Sequence, residues 1–153
     1  MARTVAKAGR SVASLHEAGH SIARQSLLGD LTKVWVNDKA GGKSEHPRIE
    51  NPNKLDREYL VKTSITIFVG VYVELDLAPP HPQVDMVLAA DYGQARTVQR
   101  IGGFSDEEME DFKRQAREFT AAHEEEIRAV AKQLNLRRRL SGGQVAKIAE
   151  RAR

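Results

Sequence analysis

"SITIFVGVYVELDL", Ser64 to Leu77, decides the fold class because it supports two opposite readings. Ile65, Ile67, Val69, Val71, Val73 and Leu75 alternate strictly along it, and runs of β-branched residues favour strands. Extended back to Leu55, the segment also carries a helical stripe through Val61, Ile65, Phe68, Tyr72 and Leu75. Propensity points to a strand and spacing admits a helix, so pattern alone leaves residues 55–77 open.

The flanking segments are clearer. Residues 10–28 read as a helix, with Val12, Leu15, His16, Gly19, His20, Ala23 and Leu27 on one stripe and Gly29 as its stop. "LTKVWVND" reads as a short strand, and the turn-rich "NDKAGGKSEHPRIENPN" as a hairpin and a loop. "APPHPQ" is a stiff connection. A helical pattern then runs from Val84 to Ile101 and closes at Gly102-Gly103. A long helix is expected from Ser105, where Ser105 and Glu108 match a capping box, with a stripe through Phe112, Ala116, Phe119, His123, Ile127, Val130 and Leu134. Ser141 and Gln144 repeat the capping pattern before a last short helix. No repeat or linker divides residues 1–153, so one mainly helical domain with a small strand or hairpin element is expected.

Within the first helix lies "SLHEAGHSIARQSLLG", Ser14 to Gly29. His16 and His20 are four residues apart and share a helix face. Glu17 is about 100° round the axis, placed to reach a water near a metal without being forced to ligate. This is the H-E-x-x-H arrangement of two zinc ligands and a general base. Both histidines fall on the inward stripe, where adjacent imidazoles without a partner are costly to bury. A third ligand is required. Ser26 stands where a metzincin needs histidine, which excludes that class. Glu74 is the candidate in a gluzincin-like set, and Asp91 is the other. Asp91 interrupts the apolar stripe Val84, Val87, Leu88, Asp91, Ala95, Val98 and Ile101, and a carboxylate on such a face must be paired or bind metal.

"HEAGH", "IFVGVYVEL", "LAADYGQARTVQRIGGFS" and "AHEEEIRAVAKQLNLRRRLSGGQVAKI" together make the chain, roughly from Ala13 to Ile148, resemble the zinc peptidase domain of FtsH-type proteases. The resemblance implies a helical zinc-peptidase fold, with Zn2+ on His16, His20 and Asp91 and Glu17 as the base. It tips residues 55–77 towards helix, with Gly70 and Glu74 matching the family's glycine-centred helix. The family's ATPase module and membrane segments have no counterpart in this sequence. The expected activity is therefore ATP-independent cleavage of polypeptide substrates, with a separate ATPase or unfoldase as the partner for folded ones. The strand near Trp35 is expected to pair with an extended substrate backbone, as edge strands do. The competing expectation is a catalytically silent binding protein that keeps the fold. The retained Glu17 argues against it.

Composition excludes several other classes. With no cysteine there is no disulfide, thiolate site or cysteine nucleophile. No stretch approaches about 18 consecutive apolar residues, so no membrane span is expected, and the N-terminus does not read as a secretory signal. A cytoplasmic location is the default. The net charge of +3 and 5% aromatic content argue against a nucleic-acid partner. "AGGKS" is no phosphate loop, because Asn37 stands where that pattern needs glycine. His123 is expected to be a hydrogen-bonded core histidine, and His46 and His81 to be surface residues of proline-containing loops.

Overall fold

Residues 57–72 form a helix, which settles the ambiguous stretch. The computed structural model describes residues 2–39 and 41–153, so Met1 and Ala40, the first residue of "AGGKS", lie outside the described residues. Among them the chain runs α1 (Ala2–Leu27), β1 (Lys33–Val36), β2 (Gly42–Glu45), α2 (Arg57–Tyr72), α3 (Val84–Gly102), α4 (Asp106–Ala122), α5 (Glu124–Arg137), β3 (Arg139–Ser141) and α6 (Gly142–Ala152). It is mainly helical, with a three-stranded antiparallel sheet in the order β2-β1-β3.

The alternation in 65–73 does not mark a strand because α2 is enclosed on every side over residues 64–71. Every residue from Ser64 to Val71 is buried. A helix buried all round needs no polar face, so its apolar residues need not follow a 3.6 period. Its β-branched residues contribute packing that outweighs their small intrinsic cost in a helix. Asp56 caps the N-terminus by accepting a hydrogen bond from the Tyr59 N–H at 2.7 Å. The C-terminus widens into a π turn, Val73–Leu77. The extra residue in that turn breaks the sequence stripe: Leu75, its last expected member, is 54% exposed, and Glu74 is buried in its place.

Helix α1 is the central element and packs against α2, α5, α6 and the sheet. Burial runs unbroken from Ala13 to Gly19, wider than the single stripe expected. Small residues permit this. Ala18, Ser21 and Ala23 are fully enclosed. A Cβ at Gly19 would stand 2.5 Å from Val73 Cγ2, so glycine there lets α1 and the end of α2 approach. The expected stop is present: Gly29 takes φ 68°, and its N–H and that of Leu28 both donate to the Arg24 carbonyl.

Both expected capping boxes form, Ser105 with Glu108 and Ser141 with Gln144. The long helix expected from Ser105 is two helices. The chain breaks at His123, at φ −112° and ψ 17°, which ends α4 and opens α5. The His123 ring stacks on Phe119 at 3.8 Å, and its Nδ1–H donates to the Phe119 carbonyl at 2.9 Å. His123 thus has the expected partner, at a helix junction and half-buried rather than in the core.

The sheet corrects one expectation. The strand containing Trp35, β1, is the central strand, paired with β2 on one side (Trp35 opposite Lys43) and with β3 on the other (Trp35 opposite Arg139). It has no free edge for a substrate. The edge strand beside α1 is β2, and Gly42-Lys43-Ser44 of the rejected phosphate-loop match lie in that strand, not before a helix.

Candidate metal centre

Three elements converge on one point. Helix α1 supplies His16, Glu17 and His20, α3 supplies Asp91, and the π turn after α2 supplies Glu74. His16 Nε2 and His20 Nε2 are 3.0 Å apart. Asp91 Oδ2 lies 3.2 Å from His16 Nε2, and Asp91 Oδ1 lies 3.5 Å from His20 Nε2. Asp91 Oδ2 is buried and off the line of any hydrogen bond, so nearness to the imidazole leaves it unsatisfied. One ligand atom from each of His16, His20 and Asp91 lies within 4.8 Å of the others, and among the described residues this group could hold a metal ion.

The His20 tautomer is fixed from behind, and His16 meets a carboxylate there off the line of a hydrogen bond. His20 Nδ1–H donates to the Thr66 carbonyl at 3.0 Å. His16 Nδ1 faces Glu74 Oε1 at 3.1 Å. With His20 Nδ1 bonded to Thr66 and His16 Nδ1 turned to Glu74, the two Nε2 atoms face each other and Asp91. Two lone pairs at 3.0 Å repel unless a proton or a cation lies between them. Bond lengths of about 2.0–2.2 Å in a tetrahedral zinc shell separate ligand atoms by about 3.3–3.6 Å, close to the three distances here. Two imidazoles and a carboxylate are a donor set that zinc takes.

Charge follows the same geometry. Burial pushes the His16 imidazolium down, but the Asp91 and Glu74 carboxylates outweigh it and raise its pKa to about 10. His20 is also raised, with burial opposing and Asp91 prevailing. Burial pushes Asp91 up, and the two imidazoles more than reverse this and hold it well below the usual carboxylate range. Glu74 is lowered as well, His16 and His81 overcoming its burial.

Gly70 makes the convergence possible. A Cβ at that position would collide with the His20 ring and stand 2.8 Å from Asp91 Oδ2. Only the glycine backbone leaves room for both side chains against α2.

Glu17 sits beside this cluster without joining it. Its Oε2 accepts a hydrogen bond from Ser44 Oγ of β2 at 3.2 Å, and Ser44 Oγ is 2.9 Å from Ser21 Oγ. The β2 backbone rests on the Glu17 stem, since a Cβ at Gly42 would be 2.8 Å from Glu17 Cγ. A cleft of about 420 Å³ opens here, lined by His16, Glu17, His20 and Asp91 on one side and by Gly42 and Ser44 of the edge strand on the other.

Of the two candidates for a third ligand, Asp91 faces the Nε2 atoms. Glu74 is behind His16 on its Nδ1 side and is outside the cluster. His81, expected at the surface, is enclosed: its side chain is 6% exposed and its Nε2 is 2.6 Å from Glu74 Oε2. Sequence reasoning missed this residue because a proline-flanked loop carries no periodicity from which to infer an inward direction. His46 is half-buried and also lines the cleft. Ser44 was likewise missed, since only the register of β2 on β1 brings it to Glu17.

No helix is long and apolar enough to cross a membrane among the described residues. No protein-family model matches the chain, and no curated protein matches it either.

Proposed function

We propose that this chain is a zinc-dependent endopeptidase that cleaves peptides and unfolded polypeptides. The observation that carries the reading is the convergence of His16, His20 and Asp91 beside a carboxylate, Glu17, that lines the same cleft and takes no part in the cluster. A scaffold that only binds metal needs no such base.

A bound zinc ion would supply Lewis acidity, polarising a peptide carbonyl and lowering the pKa of water to about 7. His16, His20 and Asp91 would hold it. Asp91 would bring one negative charge and the two imidazoles none, a ligand set that would leave a divalent ion with net positive charge. Glu17 Oε2 accepts the proton of the attacking water and returns it to the leaving amine nitrogen. The Ser44 hydroxyl orients that carboxylate by donating to Oε2. Strand β2 pairs on one side only and borders the cleft, so an extended substrate can add to its outer edge through main-chain hydrogen bonds.

The test is Glu17→Gln, which keeps volume and removes the base. Casein cleavage should fall about 10²–10⁴-fold, while zinc content and thermal unfolding stay at wild-type values. An unchanged cleavage rate would remove Glu17 from the mechanism. Absence of cleavage by the zinc-loaded wild type would favour a silent binding protein.

A further inference from the structure

Glu74 carries a fully enclosed side chain, 0% exposed. A carboxylate in that setting needs partners on both oxygens. Two imidazoles face it: His81 Nε2–H donates to Oε2 at 2.6 Å, and His16 Nδ1 stands 3.1 Å from Oε1 in an ionic contact off the line of a hydrogen bond. The π turn Val73–Leu77 aims Glu74 inward, and the loop bearing Pro79, Pro80 and Pro82 brings His81 to meet it.

We infer that His81 is a positioning residue for the metal centre: by fixing the Glu74 carboxylate against His16 Nδ1 it keeps the His16 ring in the orientation that turns Nε2 towards Asp91 and His20. The inference rests on the metal reading above and adds to it a residue outside the H-E-x-x-H motif.

Three observations support it. The chain His81–Glu74–His16 is continuous and enclosed, with side chains 6%, 0% and 9% exposed, so water does not compete for the carboxylate. The shorter of its two links is the one to His81, so His81 fixes the plane of the carboxylate and thereby the direction in which Oε1 faces His16. Finally, His81 Nδ1 is buried without a hydrogen-bond partner, which is a cost. An apolar side chain would fill the same space without that cost, so what the imidazole contributes is its bond to Glu74. Groups that orient a metal-binding histidine from behind affect metal affinity directly.

The test compares His81→Met, which keeps bulk and removes the donor, with His81→Gln, whose Nε2–H can reach Glu74. Zinc affinity is measured by chelator competition, and the visible spectrum of the Co2+-substituted protein reports the ligand field. Thermal unfolding of the metal-free proteins checks that the fold is kept. His81→Met should bind zinc about 10–100-fold more weakly with an altered Co2+ spectrum, and His81→Gln should return near the wild-type affinity and spectrum. Wild-type affinity in His81→Met would overturn the inference and leave the metal reading standing. So would equal weakening in both variants, which would mean that the ring only fills space. If the wild type takes up no zinc, the metal reading falls and the inference with it. Should His81→Met fail to fold, His81→Asn, whose amide is too short to reach Glu74, takes its place against His81→Gln under the same criteria.

Discussion

His16 and His20 hold their Nε2 atoms 3.0 Å apart, with His20 Nδ1 bonded to the Thr66 carbonyl and His16 Nδ1 turned to Glu74. Such a pair must share something positive, and a proton and a metal ion compete for the place.

The first consequence of this competition is a pH dependence of opposite sign in metal-free and zinc-bound protein. The His16 pKa is raised from 6.5 to about 10 in the fold. A raised pKa stabilises the metal-free protein fully below pH 6.5 and stops doing so as pH climbs through about 10. The melting temperature of metal-free wild type should therefore fall across that window, and that of His16→Gln should lack this component. Zinc must displace the proton, so its affinity should rise over the same window and binding at pH 7 should release protons. Calorimetry in buffers of different ionisation enthalpy measures the release. Binding without proton release would contradict the assigned protonation.

A pair of glycines separates the site from the fold. Gly70→Ala puts a methyl group into the His20 ring and against Asp91 Oδ2. It should weaken zinc binding by about tenfold or more, as displaced ligands do. Gly93→Ala, in the interior of α3 where a Cβ meets nothing within 4 Å, should stabilise the protein by about 0.5–1 kcal/mol and leave zinc affinity alone. Equal zinc affinity in both variants would show that Gly70 does not make room for the ligands.

Substrate state should matter more than substrate sequence. A segment that adds to the edge of β2 must be extended, and a folded protein offers one only by opening locally. Opening a stable core costs up to its global stability, roughly 5–15 kcal/mol. At about 1.4 kcal/mol per factor of ten, even the low end suppresses cleavage by about three orders of magnitude. One protein presented in native and permanently unfolded forms, with and without ATP, tests this. The unfolded form should be cleaved at the same rate with or without ATP, and the native form spared. Equal cleavage of both forms would contradict the edge-strand mode of binding.

Local chemistry was the most legible part of the sequence. The capping boxes at Ser105 and Ser141 and the Gly29 stop depend on residues a few positions apart, and all three form as read. The inward direction of His16 and Asp91 was legible because each interrupts an apolar stripe. Residues 64–71 were not, since complete burial erases the periodicity that distinguishes helix from strand. The exchange of Leu75 for Glu74 needs the π turn, which no pattern in the sequence announces. The central position of β1 depends on β3, a strand of three residues at the far end of the chain. His81 reaches Glu74 by the path of a loop, and loop paths are set by tertiary packing.

Metal content tests the central claim most directly. Elemental analysis of wild type, His16→Ala, Asp91→Ala and Glu74→Ala, purified alike, should give one zinc per chain in the wild type, strong loss in His16→Ala and Asp91→Ala, and partial retention in Glu74→Ala. Full retention in both His16→Ala and Asp91→Ala would contradict the site, and retention in Asp91→Ala with loss in Glu74→Ala would move the third ligand to Glu74.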